Sequence, residues 1–253
     1  MQYLTTKKVK ANTTEPMRGF IIYRGASVLD GQPIAVIATL KTSNKKTGAM
    51  VQTWIIRDDI SPIQASKAGK DSSICGSCPH KHSVGGSCYV NLGHAPLAIY
   101  KALKANKYPV FNYDDHAHYF AGRKIRLGAY GDPAAVPFGI LKSLVAIGSG
   151  HTGYTHQIEH ANFDARYLTL CQVSADSPKQ AVKFQGLGAK TFRVAMAGDA
   201  LADNELECLA DSKGLQCADC MLCDGTTKNI AITVHGSRSK RFKTSTIAAI
   251  NIA

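Results

Sequence analysis

Seven of the eight cysteines fall into two groups, Cys75, Cys78 and Cys88 in the first half and Cys208, Cys217, Cys220 and Cys223 near the end. Thiolates spaced C-x2-C turn two sulfurs toward one ion or one iron–sulfur cube, because the backbone between them makes a tight turn. The later group reads CLADSKGLQCADCMLC, offers four donors within sixteen residues and is expected to close a metal site by itself. The earlier group, CGSCPHKHSVGGSCYVNLGH, offers three, with His80, His82 and the distant Cys171 as candidates for a fourth. With a histidine in that place the site is a closed structural zinc. With no fourth protein donor, a 4Fe–4S cluster keeps one iron open to a small ligand. Both metals accept thiolates, and the spacing leaves zinc and iron–sulfur open. Gly85 and Gly86 are expected to fold the loop back so that Cys88 reaches the first pair. Cys171, inside an apolar run, also has the simpler reading of a small buried side chain.

The elements that must position these groups are legible as patterns. GFIIYRGAS and QPIAVIATL around the turn signal LDGQP read as a hairpin, and MVQTWIIR as a third strand, giving an N-terminal antiparallel β-region over residues 1–60. Beyond it, PIQASKAGK and PLAIYKALKANKY read as helices opened by Pro62 and Pro96. KIRLGAY, HTGYTHQ, RYLTLCQVS, KTFRVAM and NIAITVHGS read as strands. Two helices are expected between them, one opened by Asp132 and Pro133, the other by the cap and Pro178 of ADSPKQAVKFQGLG. Strands followed by capped helices point to parallel βα units over residues 61–237. The expected fold is therefore α/β, a partial (β/α) barrel of mostly parallel strands with the four-cysteine knot at its end and a basic tail over residues 238–253.

In βα folds functional groups gather where strands end and loops begin, which singles out GAYGDP, TGYTHQ and QVSADS. Asp132 can accept hydrogen bonds from a ligand, although its position before Pro133 also suits a helix cap. Tyr154, Thr155 and His156 form a polar, aromatic group able to stack on or hydrogen-bond a planar ligand. The candidate catalytic residues are accordingly Asp132, Tyr154 and His156. No phosphate-binding P-loop, GxGxxG or G-x-S-x-G pattern is present.

Disulfides are the competing use of an even number of cysteines, so the compartment matters. The start, MQYLTTKKVKANTTEP, has no apolar segment of a secretory signal, and no apolar run reaches membrane-spanning length, so a cytoplasmic chain with reduced thiols and no membrane partner is expected. Thirty Lys and Arg against eighteen Asp and Glu give a net charge of +12, which favours polyanionic partners. The charge gathers in KTSNKKTG, KAGK and HGSRSKRFK, and Arg238, Lys240, Arg241 and Lys243 are the candidate contacts to a nucleic-acid backbone.

The order C-x2-C…CYVNLG, RLGAYGDPAAVP, TGYTH, CQVSADSP, FRV, C-x8-C-x2-C-x2-C and ITVHG resembles the small bacteriophage proteins of the gene-product-88 type over roughly residues 70 to 237. Those are similar in turn to radical S-adenosylmethionine enzymes with a partial βα barrel. The resemblance implies phage origin, location in the host cytoplasm and a cysteine-ligated iron–sulfur cluster. Radical S-adenosylmethionine enzymes usually carry C-x3-C-x2-C, whereas here C-x2-C is followed by nine residues and Cys88. On this reading Cys75, Cys78 and Cys88 hold a 4Fe–4S cluster whose open iron binds the methionine part of S-adenosylmethionine. Asp132, Tyr154 and His156 line the pocket, and the last four cysteines hold an auxiliary cluster or a zinc knot. The function that follows is an enzyme modifying nucleic acid. The alternative, motivated by the self-sufficient four-cysteine group beside the basic tail, is a zinc-stabilised nucleic-acid-binding protein without catalysis, for example in phage replication or transcription.

Overall fold

The structure, a computed structural model, describes residues 17–236 and 238–242. Strands β1 (Gly19–Ala26) and β2 (Pro33–Thr39) pair antiparallel around the turn, Gly19 opposite Thr39 and Ala26 opposite Pro33. β3 (Val51–Arg57) continues antiparallel on β2. Ile34 to Ala38 are fully buried in succession, the mark of a strand covered on both faces. β3 then pairs parallel with β4 (Lys124–Tyr130), and β4 with β5 (Gly150–Thr152), so the hairpin shares one sheet with the first parallel strands.

A second sheet, in the order β6 (Tyr154–Thr155), β7 (Gln172–Ala175), β8 (Thr191–Ala195), β10 (Asn229–Thr233), β9 (Glu205–Glu207), is parallel throughout. The class is thus mixed α/β with two sheets rich in parallel pairs. The sheets meet at Gly153, the single residue between β5 and β6. Its N–H donates to the Cys223 carbonyl at 3.0 Å and its own carbonyl accepts from the Gln172 N–H at 3.0 Å. A Cβ there would stand 2.7 Å from both the Cys171 Sγ and the Leu170 carbonyl, so only glycine lets the strand cross.

Helices α1 (Pro62–Lys67), α2 (Ser72–Cys75), α3 (Ala95–Lys104) and α4 (Tyr113–His116) occupy the connection from β3 to β4. The helix expected to open at Asp132 begins later. Asp132 caps only a 3-10 turn, Pro133–Ala135, because Pro137 holds Val136 extended at ψ 144°, and α5 (Phe138–Ile147) starts after it. RYLTLCQVS is likewise a strand only in its second half. Asp164 accepts from the Arg166 N–H and winds Ala165–Thr169 into a 3-10 turn. α6 (Pro178–Gly186) is capped by Ser177, Cys208 is the N-cap residue of α7 (Leu209–Ser212), and α8 (Cys217–Cys220) carries Cys217 and Cys220. The main core lies over the first sheet around Phe20, Ile55, Leu127 and Leu141. A smaller apolar group joins Cys208 and Cys223 to Ile230 and Ile232 of β10. No helix among the described residues is long and apolar enough to cross a membrane.

Candidate metal centre

The first cysteine loop is built by close backbone turns. Cys75 ends α2, and its carbonyl accepts from the Cys78 N–H at 3.0 Å. Gly85 sits in the left-handed region at φ 71°, and Gly86 passes so near His80 that a Cβ would lie 2.4 Å from its carbonyl carbon. That passage lets the Cys88 N–H reach the His80 carbonyl at 2.9 Å and brings the third thiol within electrostatic reach of Cys75 and Cys78. Burial, then the Cys78 and Cys88 charges, push the Cys75 thiol well up. Burial pushes Cys88 up to about 11.

A buried amide that sequence reasoning did not single out clamps this loop to the strand exits. Gln157 is fully buried just beyond β6. Its Oε1 accepts from the Ser77 N–H at 3.0 Å, while its Nε2 donates to the Cys75 carbonyl at 2.9 Å and to Asp132 Oδ2 at 3.2 Å. Asp132 Oδ2 also accepts from the His156 N–H at 2.8 Å, and Oδ1 from the Ala134 N–H at 3.0 Å. The carboxylate at the β4 exit therefore fixes where β6 ends and holds His156 in place.

Beyond β6, His156 points its ring at the Cys78 thiol and toward Asp176, which follows β7. His80, from the cysteine loop, brings Nε2 to within 2.8 Å of Asp176 Oδ1. Burial works against charge at His156, yet the neighbouring Cys78 and Asp176 outweigh it and raise its pKa well above the ordinary histidine value. Burial would raise the Asp176 carboxyl, and the two imidazoles override it and hold it below the carboxylate range. Among the described residues, His80, His156 and Asp176 are the one trio of potential ligand atoms lying within 4.8 Å of one another. Asp176 was hidden in QVSADS because Ser177 beside it also suits a cap. The structure gives the cap to Ser177, whose Oγ accepts from the Gln180 N–H, and frees the carboxylate.

Between the sheets lies a cavity of about 310 Å³ with mostly apolar walls. Cys75, Cys78 and Cys88 line one side, and Cys208 and Cys217 another. Thr152, Tyr154 and His156, alternate residues of one extended stretch, face into it. Tyr154 hydrogen-bonds with the Cys223 thiol and packs on Phe192, ring centroids 4.6 Å apart. Burial pushes Cys223 up to about 12, with the Cys208, Cys217 and Cys220 charges adding to it, so the four late thiols lie within electrostatic reach of one another. Comparison with protein-family models, curated proteins and solved structures gave no match.

The candidates for a fourth donor to the first thiols are engaged elsewhere. His82 Nε2 meets the Val90 carbonyl at 2.8 Å and Nδ1 meets the Arg238 guanidinium. His80 faces Asp176 and places Nδ1 2.7 Å from the Ser87 Oγ. Cys171 is fully buried against Gly153 and lies off the cavity wall. Two of the proposed nucleic-acid contacts also touch the cysteine loop, Arg238 at His82 and the exposed Arg241, whose Nη1 donates to the Gly85 carbonyl at 3.3 Å. Lys240 is exposed, and Lys243 lies outside the described residues. Phe242 stacks on His80 at 5.3 Å between centroids and roofs the cysteine loop.

Proposed function

We propose that this chain is an iron–sulfur protein in which Cys75, Cys78 and Cys88 hold a 4Fe–4S cluster at the edge of a ligand cavity, acting as an enzyme of the radical S-adenosylmethionine kind. One observation carries the reading: the three cysteines line one cavity while, of the candidates for a fourth donor, His82 meets the Val90 carbonyl, His80 faces Asp176 and Cys171 lies off the cavity wall. Three protein donors and one cavity-facing position suit a cube with an open iron. The donor set also fits, since the Cys75 shift comes from burial and from neighbouring negative groups alone, a concentration of negative charge that a cationic centre relieves. When bound, such a cluster supplies one-electron chemistry and an open iron for the methionine part of S-adenosylmethionine.

The chain's own residues do the rest. Asp132 and Gln157 fix the cysteine loop relative to the strand exits, and His156 holds a proton beside the Cys78 sulfur. Tyr154 and Phe192 offer aromatic faces to the ligand, and about 310 Å³ lies within the range of small-molecule sites. Nucleic acid is the substrate proposed, on the net charge of +12. Anaerobic purification tests the reading. About four irons per chain with matching sulfide and a broad band near about 400 nm are expected, lost in Cys75→Ser and Cys88→Ser. A colourless protein holding only zinc would overturn it.

The four late cysteines, with Cys208, Cys217 and Cys220 all acting electrostatically on Cys223 and β10 packed behind Cys208 and Cys223, favour a second reading, a zinc-stapled nucleic-acid binder. Neutralising Arg238, Lys240, Arg241 and Lys243 would then lower the salt slope of binding by about one for each lost phosphate contact. Unchanged binding would reject it.

A further inference from the structure

His80, His156 and Asp176 come from three separate segments, the cysteine loop and the exits of β6 and β7, yet their ligand atoms converge. Residues His80 and Asp176 are 8 % and 6 % exposed. Their Nε2 and Oδ1 stand 2.8 Å apart, and Oδ1 lies 3.9 Å from His156 Nε2. The imidazoles and the carboxylate face one another as ion-pair partners, but none of these three buried atoms makes a well-aligned hydrogen bond. Three buried polar atoms within 4.8 Å of one another and without aligned hydrogen bonds are costly, and an ion bound by all three would relieve that cost.

We propose that His80, His156 and Asp176 form a mononuclear site for a divalent first-row metal ion, distinct in its ligands from the thiol clusters though it adjoins Cys78, with its open positions toward the cavity. Bonds of about 2.0–2.2 Å put neighbouring ligand atoms roughly 3–3.5 Å apart, and the two contacts at Asp176, 2.8 and 3.9 Å, bracket that spacing. The support around the ligands is also that of a metal site. Ser87 Oγ, 2.7 Å from His80 Nδ1, can accept a hydrogen bond from Nδ1–H and so fix the tautomer that leaves Nε2 with a free lone pair. Asp132 anchors the His156 backbone, and the Gln180 side chain accepts from the Asp176 N–H at 2.8 Å. Two imidazoles and one carboxylate on a cavity wall select iron(II), zinc or manganese over magnesium or calcium. Because His80 and His156 line the cavity, a ligand there reaches this ion and the Cys75, Cys78 and Cys88 face together.

The site does not depend on the iron–sulfur reading, and cobalt(II) binding to the full apo chain separates the two. Wild type should bind one cobalt equivalent free of thiolate charge-transfer absorption. That equivalent should persist in Cys75→Ser/Cys78→Ser/Cys88→Ser and weaken at least about 100-fold in Asp176→Asn and His80→Gln. Undiminished binding in Asp176→Asn, or loss of this equivalent in the cysteine variant, would overturn the proposal. Proton NMR of the cobalt-loaded wild type needs no variant. Two solvent-exchangeable, hyperfine-shifted imidazole resonances are expected, and their absence would equally overturn it.

Discussion

Gln157 shows how one uncharged side chain governs the first thiol set. Its amide joins the Cys75 carbonyl, the Ser77 N–H and Asp132 in a site closed to water. Gln157→Ala leaves the Ser77 N–H without this acceptor and should cost about 2 kcal/mol in urea unfolding at neutral pH. Iron per chain should fall with it, and full iron retention would show that the clamp does not position the thiols. An amide of this kind leaves no pattern in a sequence, since its partners lie about eighty positions away. The cysteines were legible because thiol spacing is itself the signal. Asp176 was not, because a carboxylate next to a serine before proline is equally a cap.

At the level of elements, the strands with strong apolar runs between turn residues, β1 to β4, β8 and β10, stand where the patterns put them. β9 had no such run. Its Glu205 is held by two hydrogen bonds from the buried Arg193 guanidinium of β8, at 2.7 and 2.6 Å, and both side chains are 1 % exposed. Tertiary pairing thus overrides a weak strand propensity. Glu205→Gln should destabilise by about 3–5 kcal/mol, because Arg193 keeps its charge in the interior. Burial raises the Glu205 carboxyl, and the hydrogen bonds from Arg193 outweigh it, so its folded pKa lies below the ordinary value of 4.5. The stability from the pair is present above that ordinary value and is lost as pH falls through the folded one. Urea midpoints measured from neutral pH downward should show this acid loss in wild type and not in Glu205→Gln. At the crossing between sheets, Gly153→Ala forces the clash with the Leu170 carbonyl and should cost about 1–3 kcal/mol, read as a lower melting temperature.

Across the whole molecule, the last described residues close over the first cysteine loop. Phe242 is 4 % exposed on the face of His80, and Arg238 holds His82. The sequence shows the charge of this segment but not its direction, because a cluster of Arg and Lys looks alike whether it meets a phosphate or a carbonyl. Phe242→Ala should raise the alkylation rate of Cys78 and Cys88 in the metal-free chain by about tenfold, a local opening of about 1.4 kcal/mol. An unchanged rate would mean that the roof protects nothing. The stretch from Thr152 to Gln157 carries a different kind of constraint. Its alternate side chains serve opposite faces, Tyr154 and His156 toward the cavity, Thr155 and Gln157 into the packed interior. A single inserted or deleted residue after Gly153 would exchange those faces, placing a clamp where a ligand belongs and imidazole where the clamp belongs. Evolution can therefore edit the letters of this segment but not its length. Relatives of this chain should vary in length freely at Gly198 or Gly214, in exposed turns, and not between Thr152 and Gln157.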